Sequence, residues 1–238
     1  MRRVRIAAIG DRDPSFLTHR EIDAAIALFG DDVDAGWMAT DGPRVRDLDG
    51  VDGVWLLPGT PYRDDAAACA AIRHCLVTGT PFLGTCGGFQ YACVELARAR
   101  AGVTDAAHAE SEPDGGSLVI EPLRCTLYGE RRTVVPVAGS RLAAICGSGG
   151  FEGFHHCGYG LAPAFAARLA QAGVVVSAEA ADAGVEAIEL PEHPFFLATA
   201  FQPQVGASDS ERLHPLIEAF LGGCRPTAAT AARRPEVR

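Results

Sequence analysis

The 238-residue chain contains no lysine; all of its 21 cationic side chains are arginine. That excludes a Schiff-base lysine and a phosphate-loop lysine. No glycine-rich phosphate loop ending in Gly-Lys-Ser/Thr is present either, so nucleotide-triphosphate chemistry has no visible seat. No apolar run reaches the ~18 residues of a membrane span. The run after the basic start "MRRVRIAAIG", Val4 to Ile9, is shorter than the ~7–15 residues of a signal-peptide core. It reads as a first buried strand. The net charge of −9 speaks against a general nucleic-acid field. The eight cysteines are scattered singly with no Cys-x-x-Cys pair, which suits reduced thiols in the cytoplasm and speaks against a structural zinc. No cofactor is implied.

What is present alternates. "VRIAAIG" (4–10), "VDGVWLLPG" (51–59) and "PFLGT" (81–85) are short apolar runs closed by turn residues. Between and after them lie the helical spacings of 16–30, 64–79 and 87–102. Such alternation predicts an α/β fold: a doubly wound, mostly parallel sheet with helices on both faces. The middle, 105–148, is less regular and reads as β segments and turns. From "GFEGFHHCGYGL" onward the expectation is helix, strand, turn (181–184), strand, strand, helix, the β segments forming a small antiparallel extension. Nothing divides the chain, so residues 1–222 are expected to form one domain, with 223–238 a disordered tail.

The chemistry concentrates in "PFLGTCGGFQ". A nucleophile on a sharp strand-to-helix turn needs glycines two residues before and two after, because larger side chains collide there. Gly84 and Gly88 flank Cys86 in this way. The helix N-terminus favours thiolate over thiol, and the free amide of Gly87 can donate to an oxyanion. Cys86 is thus expected to be an acidic nucleophile.

"PFLGTCGGFQYACVELARA" resembles the nucleophile segment of class I glutamine amidotransferases, most like the glutaminase domain of CTP synthases. "LLPGTPYRD" resembles that family's oxyanion loop, which implies oxyanion roles for Gly59 and Thr60. "DAAHAE" resembles the segment whose last glutamate holds a substrate ammonium; here that is Glu110. Gln90 matches a substrate-contacting glutamine, and "IELPEHPFFLATAFQPQ" resembles the segment that carries the family's base and acid. The similarity covers roughly 4–222 and implies a free-standing relative of the amidotransferase half, without the ATP-dependent synthetase domain.

The chain departs from the pattern twice. Gln202 and Gln204 stand where the family has its histidine and glutamate, and a neutral amide cannot take a proton from a thiol. Gly158, just before Tyr159, stands where an arginine grips the substrate α-carboxylate. Losing such a contact costs about 2–5 kcal/mol when the partner charge stays buried, so glutamine itself is not the expected substrate. Strand alternation turns His156 toward the cleft as a replacement base; His155 or Cys157 would serve only from a loop. His108 keeps a lesser place beside Glu110, and Glu95 is expected on the helix surface or paired with Arg98.

The leading reading is a thiol enzyme acting on a carboxamide or acyl carbon of a small amino-acid-like metabolite. In it Cys86 attacks, Gly59, Thr60 and Gly87 hold the oxyanion, Gln90, Glu110, Tyr159 and Gln202 contact the substrate, and His156 moves the proton. The alternatives are a catalytically silent binding module on the same fold and a glutaminase subunit serving a separate synthetase. A homodimer stays open; nucleic acid and membrane are not expected partners.

Overall fold

The computed structural model describes residues 2–181 and 184–225. Residues 182 and 183 of the expected turn, and 226–238 of the expected tail, lie outside the described residues.

The first half follows the alternation. Strands β1 (Val4–Ile9), β2 (Val33–Met38), β3 (Gly53–Leu56) and β4 (Phe82–Thr85) run parallel in the order β2-β1-β3-β4. Helices α1 (Leu17–Ala27), α2 (Asp65–Thr78) and α3 (Gly87–Ala99) connect or follow them. β3 and β4 are buried along their whole length because helices cover both faces, which is why they read as continuous apolar runs. α2 starts where the Asp64 carboxylate accepts from the Ala67 N–H at 2.9 Å and ends on left-handed Gly79. β2 was not marked by the sequence pattern: its face toward α1 carries Trp37, and only its first and last residues are fully buried.

The second half is the antiparallel extension. After β5 (Ala106–His108) come the 20-residue β6 (Ser117–Pro136), helix α4 (Arg141–Cys146), β7 (Phe151–Leu161), α5 (Pro163–Gln171), β8 (Val175–Ala180), β9 (Gly184–Glu189) and β10 (Phe196–Thr199). β10 lies parallel to β4, and the sheet continues β10-β9-β8-β6-β5, with β7 paired to β6. α4 was unexpected in the irregular middle; Ser140 caps it by accepting from Ala143 N–H. The described helices number six, the last being α6 (Pro215–Cys224).

Two apolar cores sandwich the sheet. One joins β1, β3 and β4 to α2 and α3, the other to α1, α4 and α6. α6 includes Gly223 and Cys224, the first residues of the expected tail, and the buried Cys224 presses on β3 at Gly53. A Cβ at Gly53 would stand 2.3 Å from Cys224 Sγ and 3.0 Å from Phe220 Cζ. Gly53→Ala should therefore lower stability by about 1–3 kcal/mol through overpacking. It should lower the urea midpoint with the slope unchanged; an unaltered midpoint would mean that α6 does not seat on β3.

Candidate active site

The site forms where β4 turns into α3. Cys86 has φ +53° and ψ −105°, and among the described residues it is the one non-glycine with positive φ. Such backbone strain persists only where the surroundings over-determine it. Here the Cys86 N–H donates to Thr199 O of β10 at 2.8 Å, and the Cys86 carbonyl accepts from both Phe89 and Gln90 N–H. The flanking glycines are obligatory: a Cβ at Gly88 would lie 2.2 Å from Leu56 O, and one at Gly84 2.7 Å from Gly88 O. Gly87 is crowded from the other side, a Cβ there falling 2.7 Å from Thr60 Cγ2 and 3.2 Å from Gly59 O. The Pro58–Thr60 loop thus covers the first turn of α3. His19 braces that loop: its Nδ1 accepts the Asp13 N–H, so its Nε2–H donates to Pro58 O at 3.2 Å.

Cys86 opens on a cleft of about 380 Å³. Of the residues singled out from the sequence, Gly59, Thr60, Gln90, Glu110, His156, Tyr159 and Gln202 line it, together with Gly158, whereas Gly87, Glu95, His108, His155 and Gln204 do not. Gly87, the first residue of α3, follows Cys86 directly, and its amide favours the Cys86 thiolate. Cys157, expected to face the site only from a loop, lines it from β7, and Tyr128, which the sequence did not mark, lines it too. Tyr128 is the neighbour of Gly158: a Cβ on Gly158 would stand 3.0 Å from the Tyr128 hydroxyl, so a phenol occupies the space above the missing side chain.

A buried relay fixes the floor. Glu110 N–H donates to His108 Nδ1 at 3.1 Å, which leaves the proton on Nε2 to reach Gln90 Oε1 at 3.0 Å. Gln90 Nε2 in turn donates to Tyr159 O at 2.9 Å. Gln90 therefore ties α3 to β7 while facing the cleft, and His108 is the clamp that sets it. Burial pushes the His108 pKa down to about 4, so the ring is neutral, as the relay requires. Glu110 is raised by burial, with Thr60 hydrogen-bonding it in opposition. Its Oε2 is buried without a partner. Glu95 is not on the surface; it is buried and paired first with Arg73 at 2.8 Å, Arg98 lying 3.9 Å away.

The thiol behaves otherwise than expected. Cys86 is 7% exposed, and its pKa is raised rather than lowered. The neighbouring Cys157 thiol raises it most, burial adds to the rise, and the Gly87 amide opposes it. Cys157 is shifted down, because Cys86 donates to it and the charge of His155 favours its thiolate, against the cost of burial. The cleft face of His156 reaches Cys86 through its backbone carbonyl, 3.9 Å from the sulfur, while its ring rests edge-on against Tyr128 at 5.2 Å. His155 is fully buried, its Nε2 2.7 Å from Glu186 Oε2 and its Nδ1 3.1 Å from Gly153 O. Gln204 Nε2 donates to Gln202 Oε1 at 2.8 Å, which leaves the Gln202 amide nitrogen for the cleft. All eight cysteines are free thiols. The His-x-Cys spacing was visible in the sequence, but its use depends on how β7 is bent: β6 shifts register against β7 between Pro122 and Leu127 and again between Tyr128 and Glu130. Consecutive residues 156–159 consequently all meet the cleft.

A strained cysteine at a strand-to-helix turn, beneath the Pro58–Thr60 loop and in one cleft with a half-buried glutamate, defines an α/β protein of the class I glutamine amidotransferase type. Residues 58–204 match the Peptidase C26 family. CTP synthase of Methanoculleus marisnigri is 30% identical over 210 residues, 85% of this chain and 39% of that protein. CTP synthase of Aeropyrum pernix is 34% identical over 224 residues, 85% of this chain and 42% of that protein. The Trypanosoma brucei CTPS glutaminase domain with bound acivicin matches with a TM-score of 0.77 at 25% identity, covering 98% of this chain and 96% of that one. A glutamine amidotransferase of Thermotoga maritima shares the fold, with a TM-score of 0.58 at 16% identity over 93% of this chain and 84% of that one. The chain belongs to the Peptidase C26 family, the class I glutamine amidotransferase-like proteins. It spans about two fifths of the length of the curated relatives it matches. Among the described residues no helix is long and apolar enough to cross a membrane.

Because the folded state holds His108 at about 4 against 6.5 when unfolded, it binds fewer protons between these values, and stability falls as pH drops through that window. The loss is on the order of 2–3 kcal/mol. His108→Gln should flatten this part of the stability–pH curve, measured by chemical unfolding at pH 7, 5.5 and 4; an unchanged slope would mean that His108 takes up its proton freely in the fold.

Proposed function

We propose that the protein is a thiol amidohydrolase or amidotransferase acting on the carboxamide or acyl carbon of a small amine-bearing metabolite. The observation that carries this reading is the strained Cys86, at φ +53° on a turn that only Gly84 and Gly88 permit, facing a cleft at the start of α3. In this reading Cys86 attacks the acyl carbon. The Gly87 amide, with those of Gly59 and Thr60 above it, takes the developing oxyanion, where preorganised donors contribute most in a water-poor site. Glu110 receives the substrate ammonium through its unpartnered Oε2. Gln202 offers its amide nitrogen, and Tyr159 and Gln90 shape the floor.

The charge of the cleft narrows the substrate. Asp11, Asp13 and Glu110 line it against one arginine, Arg63, which reaches toward Asp41 at 3.9 Å. The wall at Gly158 offers the Tyr128 hydroxyl in place of a cation. A free α-carboxylate would meet net negative charge there, and an amine would be welcomed. The favoured substrate is an amide whose acyl part carries an ammonium and no adjacent carboxylate. Glutamine, which carries both, fits less well.

Two other readings have particular support. The neutral Gln202–Gln204 pair favours a silent binding module. Relatives named CTP synthase, of which the chain spans about two fifths, favour an ammonia-supplying subunit for a synthetase. Incubation with p-nitrophenyl acetate followed by mass spectrometry separates the first: a nucleophile acquires one acetyl group on the Cys86 peptide, and Cys86→Ala abolishes it. A silent module acquires none there. Ammonia release from ω-amino-acid amides and from glutamine decides the substrate. The former should be preferred, and Glu110→Gln should raise KM for them by about 30-fold, near 2 kcal/mol of binding. Faster turnover of glutamine would support the subunit reading instead.

A further inference from the structure

The reading above leaves one chemical gap. A thiol attacking an amide must lose its proton, and the leaving nitrogen must gain one. Gln202 and Gln204 are neutral amides and can do neither. The His156 ring lies against Tyr128, and it is the His156 backbone carbonyl that approaches the sulfur. The thiol that shares the cleft lining with Cys86 is that of Cys157, the residue directly after the His156 carbonyl that lies 3.9 Å from the Cys86 sulfur.

What stands behind Cys157 is unusual. His155, two residues earlier and on the same face of β7, is fully buried. Both of its ring nitrogens face acceptors: Nδ1 the Gly153 carbonyl at 3.1 Å, Nε2 the Glu186 carboxylate at 2.7 Å. The Gly153 carbonyl can only accept, so Nδ1 carries a hydrogen, and the Glu186 carboxyl at Nε2 favours the imidazolium form of the ring. Burial alone would discharge it; the hydrogen bond and charge of Glu186 outweigh burial and raise its pKa. With no nitrogen to spare, His155 cannot serve as a base. It is instead a fixed positive charge in a low-dielectric wall. Glycine makes the arrangement fit: a Cβ on Gly153 would stand 2.8 Å from both Phe201 Cβ and Val134 Cγ2, so the strand can lie close only without a side chain there. The backbone joins the two sides, Gln202 N–H donating to Phe154 O at 2.8 Å and Ala200 N–H to Glu186 O at 2.8 Å.

We propose that Cys157 is the proton-carrying partner of Cys86, replacing an imidazole base, and that the buried His155–Glu186 ion pair is the positioning device that holds one negative charge on the two sulfurs. This rests on the reading of Cys86 as nucleophile. The resting pair holds one proton between two sulfurs. When substrate arrives, the Cys157 thiolate takes the Cys86 proton, and Cys86 sulfur forms its bond to the acyl carbon. As the tetrahedral adduct collapses, the carbon–nitrogen bond breaks, and the Cys157 thiol gives its proton to the leaving nitrogen. Water then attacks the thioester while Cys157 takes a proton from it. The carbon–sulfur bond breaks, and the pair again shares one proton. No oxidant or reductant enters.

The other titratable groups facing Cys157 are few. Cys86 comes from the β4–α3 turn, His155 from its own strand, Glu186 from β9, Tyr128 from β6, and Glu110 stands across the cleft. Of these His155 is the cation, so its removal should act most directly on the pair.

The full-length protein tests this through thiolate absorbance near 240 nm and acetylation of Cys86 by p-nitrophenyl acetate, both followed from pH 5 to 10. The wild-type chain should show one thiolate forming below the range of an ordinary thiol. Cys157→Ala should move its formation up by more than one pH unit and slow Cys86 acetylation at pH 7 by about tenfold or more. His155→Gln, which keeps hydrogen-bonding ends but removes the charge, should move it in the same direction with Cys157 still present. A structural role alone would lower stability without moving the titration. If Cys157→Ala folds and leaves both titration and acetylation unchanged, the proposal fails while Cys86 stands as nucleophile. If Cys157→Ala does not fold, the His155→Gln titration decides alone. If Cys86 is acetylated in no variant, the nucleophile reading fails, and this proposal with it.

Discussion

The site depends on one steric constraint: the backbone of α3 can begin against β3 only if residue 88 has no side chain. Leu56 O lies 2.2 Å from where a Gly88 Cβ would be. That contact, with Gly84 pressed against the Gly88 carbonyl, fixes the turn and holds Cys86 in a backbone conformation that no other described non-glycine residue adopts. The strain is offset by ordinary packing. β3, β4 and β10 are buried throughout, and their parallel register aligns Leu56, Gly84 and Ala198 at the same height. The chemistry therefore sits at the end of the stiffest part of the sheet, where such sheets place their ligands.

Around that fixed point the polar groups divide into two kinds. On the α3 side, Glu110, His108, Gln90 and Tyr159 form a neutral hydrogen-bond relay in which each donor has a defined acceptor. On the β7 side, His155 and Glu186 form a buried ion pair. Breaking such a pair costs several kcal/mol because a charge is left uncompensated, yet replacing it with apolar groups is often neutral. A stability role alone is thus a weak account of its presence. Its field on the adjacent thiols is a stronger one.

The large features of the fold were legible because they depend on local pattern. Short apolar runs between helical spacings placed β1, β3, β4, α1, α2 and α3 correctly, the expected runs overshooting some ends, as 51–59 does for β3 and 16–30 for α1. β2 and α4 were not, because β2 is half-covered and shows no clean period, while α4 is six residues long inside a stretch dominated by β6. The elbow was legible too, since glycines at fixed offsets from Cys86 state a steric requirement directly. The shift of the Cys86 pKa was not: a helix N-terminus favours thiolate, but the neighbouring Cys157 thiol and burial act more strongly. Strand alternation pointed to His156, and where β6 shifts register against β7 Cys157 lines the cleft as well.

What the sequence determined by itself was whatever rests on neighbours in the chain: the α/β order, the glycine-flanked turn and the amides of Gln202 and Gln204 in place of ionisable groups. What only the tertiary structure decided were the meetings of residues far apart: Cys86 and Cys157 in one cleft, His155 with Glu186, and Tyr128 over Gly158. The physical reason is one of range. Steric and hydrogen-bonding rules within a turn act over a few residues and leave a pattern, whereas proton sharing and Coulomb interaction act over a few ångströms between strands, and nothing in the spacing of letters records which strands will lie side by side.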